Sequence, residues 1–165
     1  MKLPILLAAI ICLSAAASAQ EADVPPGELP VDPYVMSNEN AGAAPFANET
    51  IYELFGGAAG VSRIVDDMVD RSLADPRISD VFVASDLVRL RRTLKEQFCF
   101  ILAGPCDYSG KDMATSHRDH GITNREFNAL VENLQLSMNA EGVPFRAQNK
   151  LLAKLAPMQK DIVTR

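Results

Sequence analysis

Apolar residues recur every three to four positions through most of the chain after residue 50, which is the spacing of a helix with one buried face. This pattern holds from Ser62 to Ala74, and it returns after Asp86, after Thr123 and after Pro144. No segment alternates apolar and polar residues with the period of two that is typical of a strand. The sequence therefore predicts an all-α fold with two pairs of longer helices.

Capping residues indicate where these helices begin and end. Thr50-Ile-Tyr-Glu53 is a capping box before a short helix, which Gly56-Gly57 ends. A long helix capped by Asp86 is expected to run to Leu102, and Thr123-Asn-Arg-Glu126 is a second capping box. The other predicted elements are a helix over about Ser62–Ala74, a short helix from Asp75-Pro76, an irregular segment over Cys106–Asp119 and a last helix kinked at Pro157.

The N-terminus has the composition of a targeting segment. Lys2, the apolar run Leu3–Leu13 and Ala17-Ser18-Ala19 have the order of a secretory signal peptide that is cleaved after Ala19. An uncleaved membrane anchor is the alternative, but the run is shorter than the ~20 residues of a membrane-spanning helix. We therefore expect residues 1–19 to be a signal peptide, the mature protein to be periplasmic, and no membrane association after cleavage.

Residues 20–49 contain five prolines and six acidic residues but no Lys or Arg, so we expect an acidic, Pro-rich, disordered tether before a folded domain over residues 50–165. The net charge of the whole chain is −5. Lys2 is the one basic residue before Thr50, and six of the 21 acidic residues lie in the tether, which leaves 15 residues of each sign in the domain. This balance argues against nucleic acid as a partner, because phosphate binding needs a basic surface.

Both histidines lie in one weakly periodic segment, Met113–Thr123, at positions 117 and 120. Neutral imidazole is the commonest protein ligand for a metal, and a histidine can hold the iron of a haem from one side. The alternative is that both are polar residues on a connecting loop. The segment has little apolar periodicity of its own, which indicates that it is held by something that it ligates, and His117 is the first candidate.

A series of motifs between Tyr52 and Ile162 has the order and spacing found in truncated haemoglobins, and the chain resembles that family, most closely its first group. The motifs are Tyr52-Glu-Leu-Phe-Gly-Gly57, Arg71-Ser-Leu-Ala-Asp75, Phe82, Ala103-Gly-Pro105, Tyr108-Ser-Gly110, Met113-x-x-x-His117-x-x-x-Gly121-Ile122 and Phe127. The resemblance implies a two-over-two helical sandwich around haem b. The sequence lacks Cys-x-x-Cys-His, so we expect the haem to be non-covalent.

The resemblance also implies roles for single residues around the haem. His117 matches the proximal iron ligand of the family. Phe82 matches a phenylalanine that stacks on the haem, and Met113 and Phe127 match other haem-packing positions. Tyr108 belongs to the same set of matched pocket residues. The alternative for the apolar members of this set is an ordinary place in the core.

Three residues are expected at the edge of the pocket. Arg89 and Arg92 lie on the outer side of the long helix, where they would pair with haem propionates or form a solvated basic face. His120 falls at a position that varies in the family, and it is expected to face solvent or a propionate. It ranks behind His117 as an iron ligand.

The distal side departs from the family pattern. The family usually places a tyrosine on the second helix and a glutamine on the long helix, and both hydrogen-bond bound dioxygen. The matching residues here are Val69 and Leu94, the neighbouring distal residue is Leu90, and Gln97 is expected at the helix edge. These substitutions predict a dry distal pocket, fast oxygen release, and five-coordinate ferrous iron in the absence of ligand.

Cys99 and Cys106 remain in the mature chain, and the turn between them brings a disulfide within reach. Export to an oxidising compartment favours the disulfide over two buried thiols.

The sequence leaves three functions open. The first is a haem globin that reversibly binds oxygen, nitric oxide or carbon monoxide, with a reductase or another electron donor as its partner. The second is a haem enzyme on the same scaffold, a nitric oxide dioxygenase or a peroxidase, but peroxidase chemistry needs a distal acid or base and dioxygenation needs a stable oxy complex. The third is a haem-free helical interaction module.

Overall fold

The computed structural model describes residues 24–48 and 50–165, so the predicted signal peptide over residues 1–19 lies outside the described part of the chain. All regular elements of the described residues are helical, which confirms the all-α class. No helix in these residues is long and apolar enough to cross a membrane. The α-helices are α1 (Thr50–Leu54), α2 (Gly57–Ala74), α3 (Leu87–Ile101), α4 (Met113–His117), α5 (Asn124–Ala140), α6 (Phe145–Leu155) and α7 (Gln159–Ile162).

Helix α2 lies at the centre of the fold, where it packs against both α3 and α5, while α5 also packs against α6. The buried face of α2 includes Ile64, Val65, Met68 and Val69, which are each no more than 2% exposed. Burying a side chain of this size contributes roughly 1.5–3 kcal/mol. The pairs α2–α3 and α5–α6 form the predicted two-over-two sandwich, and α4 packs against α7.

Two of the predicted capping signals are confirmed, those at Asp86 and Thr123, whereas Thr50 is already the first residue of α1 and not its cap. Asp86 accepts a hydrogen bond from the backbone nitrogen of Arg89, 3.0 Å away, and starts α3. Thr123 and Glu126 form both hydrogen bonds of the capping box before α5. Such signals are reliable because both partners lie within one turn. The predicted kink at Pro157 occurs as a 3-10 turn between α6 and α7.

Two helix boundaries differ from the prediction. Helix α2 begins at Gly57, five residues before Ser62, because the small residues of its first turn allow α1 to approach closely. A Cβ atom at Gly60 would lie 1.9 Å from the carbonyl oxygen of Phe55. Asp75 does not cap an α-helix; its side chain accepts from the backbone nitrogen of Arg77, and only a 3-10 turn follows.

Residues 24–48 do not form a loose tether, and we call them the N-terminal strap. The side chain of Glu28 is 1% exposed and forms ion pairs with Arg89 and Arg92 on α3. Further along, the hydroxyl of Tyr34 donates to the carbonyl oxygen of Ser109, 2.8 Å away. The expectation of disorder was wrong for these residues because an acidic segment folds where basic partners on another element neutralise it.

Replacing Glu28 with glutamine is expected to lower the free energy of unfolding at neutral pH by about 1–3 kcal/mol, because two arginines lose their buried carboxylate partner. The hydrogen bond from Arg92 lowers the pKa of Glu28 below its usual 4.5. The unfolded chain therefore binds the proton more readily, so this stabilisation is complete above about pH 4.5 and is lost as the pH falls through the folded-state pKa.

Urea unfolding of both proteins between pH 7 and pH 3 measures this difference, which should shrink towards the acid end. Glu39→Gln is a suitable control, since Glu39 is an exposed acidic residue of the same strap. Equal unfolding midpoints for Glu28→Gln and Glu39→Gln would show that the ion pairs contribute nothing specific.

Candidate cofactor site

A cavity of about 230 Å³ lies between the helix pair α2–α3 and the helix pair α5–α6. Its walls come from α2, α3, α4 and α5, together with the 3-10 turn after Asp75, the segments on either side of α4 and the C-terminal residues from Leu155 to Ile162. Eight of the nine predicted site residues line it: Val69, Phe82, Leu90, Leu94, Tyr108, Met113, His117 and Phe127. The fold thus brings together residues that are up to 58 positions apart in the sequence.

His117 is the last residue of α4, which the sequence did not predict as a helix. Asp112 caps this short helix by accepting from the backbone nitrogen of Thr115, 2.9 Å away. Nδ1 of His117 lies 2.7 Å from the carbonyl oxygen of Met113. A carbonyl oxygen only accepts, so Nδ1 carries the proton and the Nε2 lone pair is left for a metal.

Burial lowers the pKa of His117, and the nearby His120 lowers it further, whereas the hydrogen bond to the Met113 carbonyl opposes both effects. The imidazole is therefore neutral at physiological pH, which is the form that binds a metal. His120 also lines the cavity but is exposed at its mouth, and its backbone nitrogen donates to the carbonyl oxygen of His117.

The part of the wall formed by α2 and α3 is apolar at Val69 and Leu94, where the resemblance to truncated haemoglobins implies a tyrosine and a glutamine. Val69 is 2% exposed, and Leu90 and Leu94 are partly buried against the core. Thr93 also lines the cavity, but its hydroxyl already donates to the carbonyl oxygen of Arg89, 2.9 Å away. The side chains that line this wall therefore favour small, uncharged ligands.

Gln97 lies inside the protein and not at the helix edge, where the sequence placed it. Its side chain is 5% exposed, and Nε2 donates to the carbonyl oxygen of Ala41 in the strap, 2.8 Å away. The sequence could not reveal this position, because the partner belongs to a segment that was expected to be disordered. Gln97 and Met158 both line the cavity. The sequence predicts Gln97 at the helix edge and does not predict Met158 as a site residue.

Arg89, for which the sequence predicts either a haem propionate or solvent as its partner, does not line the cavity. Its guanidinium is held by Glu28 and Asp86, and Arg92 is held by Glu28 and Glu96. The predicted basic edge of the pocket is therefore neutralised by acidic side chains of this chain, one of which comes from the strap.

Tyr108 contributes a buried phenol to the cavity wall. Its hydroxyl donates to the carbonyl oxygen of Lys111, 2.9 Å away, and burial raises its pKa to about 12. The side chain therefore stays neutral, and its hydrogen bond fixes the loop that leads into α4. Two residues before it, Cys106 lies within bonding distance of Cys99, with their Cα atoms 5.9 Å apart.

The chemistry of the lining fits a large apolar cofactor that carries its own metal. Among residues 24–48 and 50–165, no group of three His, Cys, Asp or Glu side chains could enclose a metal ion. His117 instead offers a single imidazole nitrogen within apolar walls. This is the donor arrangement that a haem iron requires of its protein.

The fold and this site define a globin, and comparison with known proteins gives the same class. The sequence profile of the family described as bacterial-like globin matches residues 50–164. A group 1 truncated haemoglobin of Mycolicibacterium paratuberculosis is 31% identical over 115 residues, which cover 70% of this chain and 85% of that protein. The chain therefore belongs to the bacterial-like globin family, and within it to the group 1 truncated haemoglobins.

Solved structures are similar over the same region. The truncated haemoglobin of Tetrahymena pyriformis in its Fe(III) form is similar with a TM-score of 0.66 at 27% identity, covering 70% of this chain and 98% of that chain. The 2/2 haemoglobin of Synechococcus, which has covalently attached haem, gives a TM-score of 0.64 at 26% identity with the same coverage. The N-terminal strap precedes the residues that the family profile matches.

Proposed function

We propose that this protein binds haem b through His117 and reversibly binds small diatomic ligands, namely oxygen, nitric oxide or carbon monoxide, at the iron. The observation that carries the proposal is the position of His117, whose Nδ1 is held by Met113 so that Nε2 is left for the iron. Membership of the truncated haemoglobins supports it independently. The haem supplies an iron with an open coordination position, and the chain supplies the ligand, the apolar walls and the exclusion of water.

The chain's own residues limit what can happen at the open position. Val69, Leu90 and Leu94 provide no donor or acid on the distal wall. A peroxidase needs a distal acid or base, and a dioxygenase needs a stable oxygen complex, so neither enzyme is favoured over a ligand-binding globin. The haem-free module is not favoured either, because His117 would then have no reason to lie in an apolar cavity with Nε2 unprotonated.

Titration of the purified mature chain with haem tests the proposal. We expect one equivalent to bind, with an intense near-ultraviolet band and a five-coordinate spectrum after reduction. Haem b that is non-covalent should leave the protein in acidified butanone, whereas a covalent attachment, as in the Synechococcus protein, would retain it. A chain that takes up no haem would overturn the proposed function.

Export and an electron donor belong to the same proposal. The signal-like sequence of residues 1–19 supports a periplasmic location for the mature chain. Reversible oxygen binding requires ferrous iron, so a reductase or another electron donor has to restore that state after oxidation. Oxidising conditions outside the cytoplasm would also favour a bond between Cys99 and Cys106.

Thiol counting on the mature chain is expected to find no reactive thiol before reduction and two afterwards. Opening the eight-residue loop between Cys99 and Cys106 should lower the free energy of unfolding by roughly 2.5 kcal/mol in the chain-entropy description. The double variant Cys99→Ser, Cys106→Ser is the control, because its stability should not respond to reductant. Two reactive thiols in the untreated protein would contradict the disulfide.

A further inference from the structure

The N-terminal strap reaches the wall of the cofactor cavity as well as the outer surface of α3. Ala41 is fully buried, and its carbonyl oxygen accepts the hydrogen bond from Gln97, which lines the cavity. Asn40 donates from Nδ2 to the carbonyl oxygen of Gly110, 3.2 Å away, in the loop that leads into α4. At this point the strap contacts both α3 and the segment before His117.

Gly42 follows directly and packs against two methionines of the cavity wall. Its φ angle of +80° lies in the left-handed region, where a side chain is strained. A Cβ atom at this position would lie 3.1 Å from Cγ of Met113 and 3.0 Å from Cε of Met158. Cε is the mobile end of a side chain and moves at little cost, but Cγ of Met113 is close to the backbone of α4 and moves less freely.

Met113 links this contact to the iron ligand. It is the first residue of α4, and its carbonyl oxygen receives the hydrogen bond from Nδ1 of His117 at 2.7 Å. A shift of Met113 therefore turns the imidazole or lengthens the bond that fixes it. We propose that the Ala41-Gly42 turn of the strap is a positioning element for His117, which it orients by supporting Met113.

The inference rests on the proposed function, because it concerns the orientation of His117 towards a haem iron. It also goes beyond that function. The strap lies before residue 50, where the match to the family profile begins, so this support is an addition to the part that the chain shares with the profile. A strap that only stabilises the fold would leave the iron–histidine bond unchanged. A measurement of that bond therefore distinguishes positioning of His117 from stabilisation.

The matched pair Gly42→Ala and Gly27→Ala tests the inference on the haem-loaded full mature chain. Both glycines lie in the strap with φ of +80° and +88°, so both variants carry the same kind of backbone strain. A Cβ atom at Gly27 makes only an ordinary contact, 3.7 Å from Val88. We expect Gly42→Ala to shift the iron–histidine stretching frequency of the reduced protein and to speed haem release by roughly five- to tenfold. Gly27→Ala should leave the stretching frequency unchanged.

A second measurement uses the chain without haem and does not depend on cofactor uptake. With ¹³C-labelled methionine methyl groups, Gly42→Ala should move the Met113 resonance and the ring resonances of His117, whereas Gly27→Ala should move neither. Equal effects of the two variants in both measurements would overturn the inference. If the wild type takes up no haem, the proposed function fails, and the resonances of the haem-free chain alone decide whether the strap positions His117.

Discussion

Replacing His117 with glycine is expected to abolish the five-coordinate ferrous spectrum of the haem-loaded protein and to speed haem release by on the order of a hundredfold. The reason is that the imidazole is the one ligand that α4 directs into the cavity with its Nε2 unprotonated. Absorption spectra of the reduced protein and transfer of haem to a scavenging globin measure the two effects.

Adding imidazole to the His117→Gly variant tests the assignment of the iron ligand more directly. A free imidazole molecule should enter the space left in His117→Gly and restore the five-coordinate spectrum. His120→Gly is the matched control, since His120 lines the same cavity at its exposed mouth and should release haem at close to the wild-type rate. If His120→Gly loses the spectrum and His117→Gly retains it, the assignment of the iron ligand is wrong.

Introducing a tyrosine at position 69 is expected to slow oxygen release by roughly ten- to a hundredfold. Val69 is buried in the distal wall, and a phenol there would donate a hydrogen bond to bound oxygen, which carries negative charge on ferrous iron. A hydrogen bond to a charged partner contributes about 1.5–3 kcal/mol, which corresponds to that change in rate. Stopped-flow measurement of oxygen release from the reduced protein gives the number.

Val69→Phe separates the hydroxyl from the bulk of the ring. Both variants crowd the cavity equally, but only the tyrosine can donate a hydrogen bond, so phenylalanine should leave oxygen release fast. Carbon monoxide carries less charge when bound, and its release should change little in either variant. Equal slowing by tyrosine and phenylalanine would mean that steric closure controls release and that a hydroxyl at position 69 does not reach the bound oxygen.

The sequence predicted those parts of the molecule whose signals are local. The apolar faces of α2, α3 and α5 and the caps at Asp86 and Thr123 are formed by neighbours within a few turns. His117 could be predicted as a residue of the cavity because its spacing to Gly121 matches the family. The sequence also contains the cap of α4, because Asp112 lies three residues before Thr115. The helix itself was not predicted because its five residues have no apolar periodicity.

The contacts that sequence reasoning missed are those between distant segments. The sequence predicts Glu28 to be a solvated residue of an acidic tether. Its partners, Arg89 and Arg92, lie 61 and 64 residues away on the outer side of α3, so no local signal reveals them. For the same arginines the sequence predicts either a propionate or solvent as the partner, and the shared contact with Glu28 could not be foreseen from either. Gln97 was misplaced for the related reason that its acceptor, the carbonyl oxygen of Ala41, lies 56 residues away.

These long separations also bear on the order in which the molecule assembles. The strap precedes α1, yet its partners on α3 and in the loop before α4 are 56 to 75 residues further along. Contacts that close such long loops tend to form after local helices, so we expect the strap to dock late in folding. Until it docks, Gln97 and Met113, which line the cavity, lack their contacts with Ala41 and Gly42, so we expect this part of the wall to be held in place only at the end of folding.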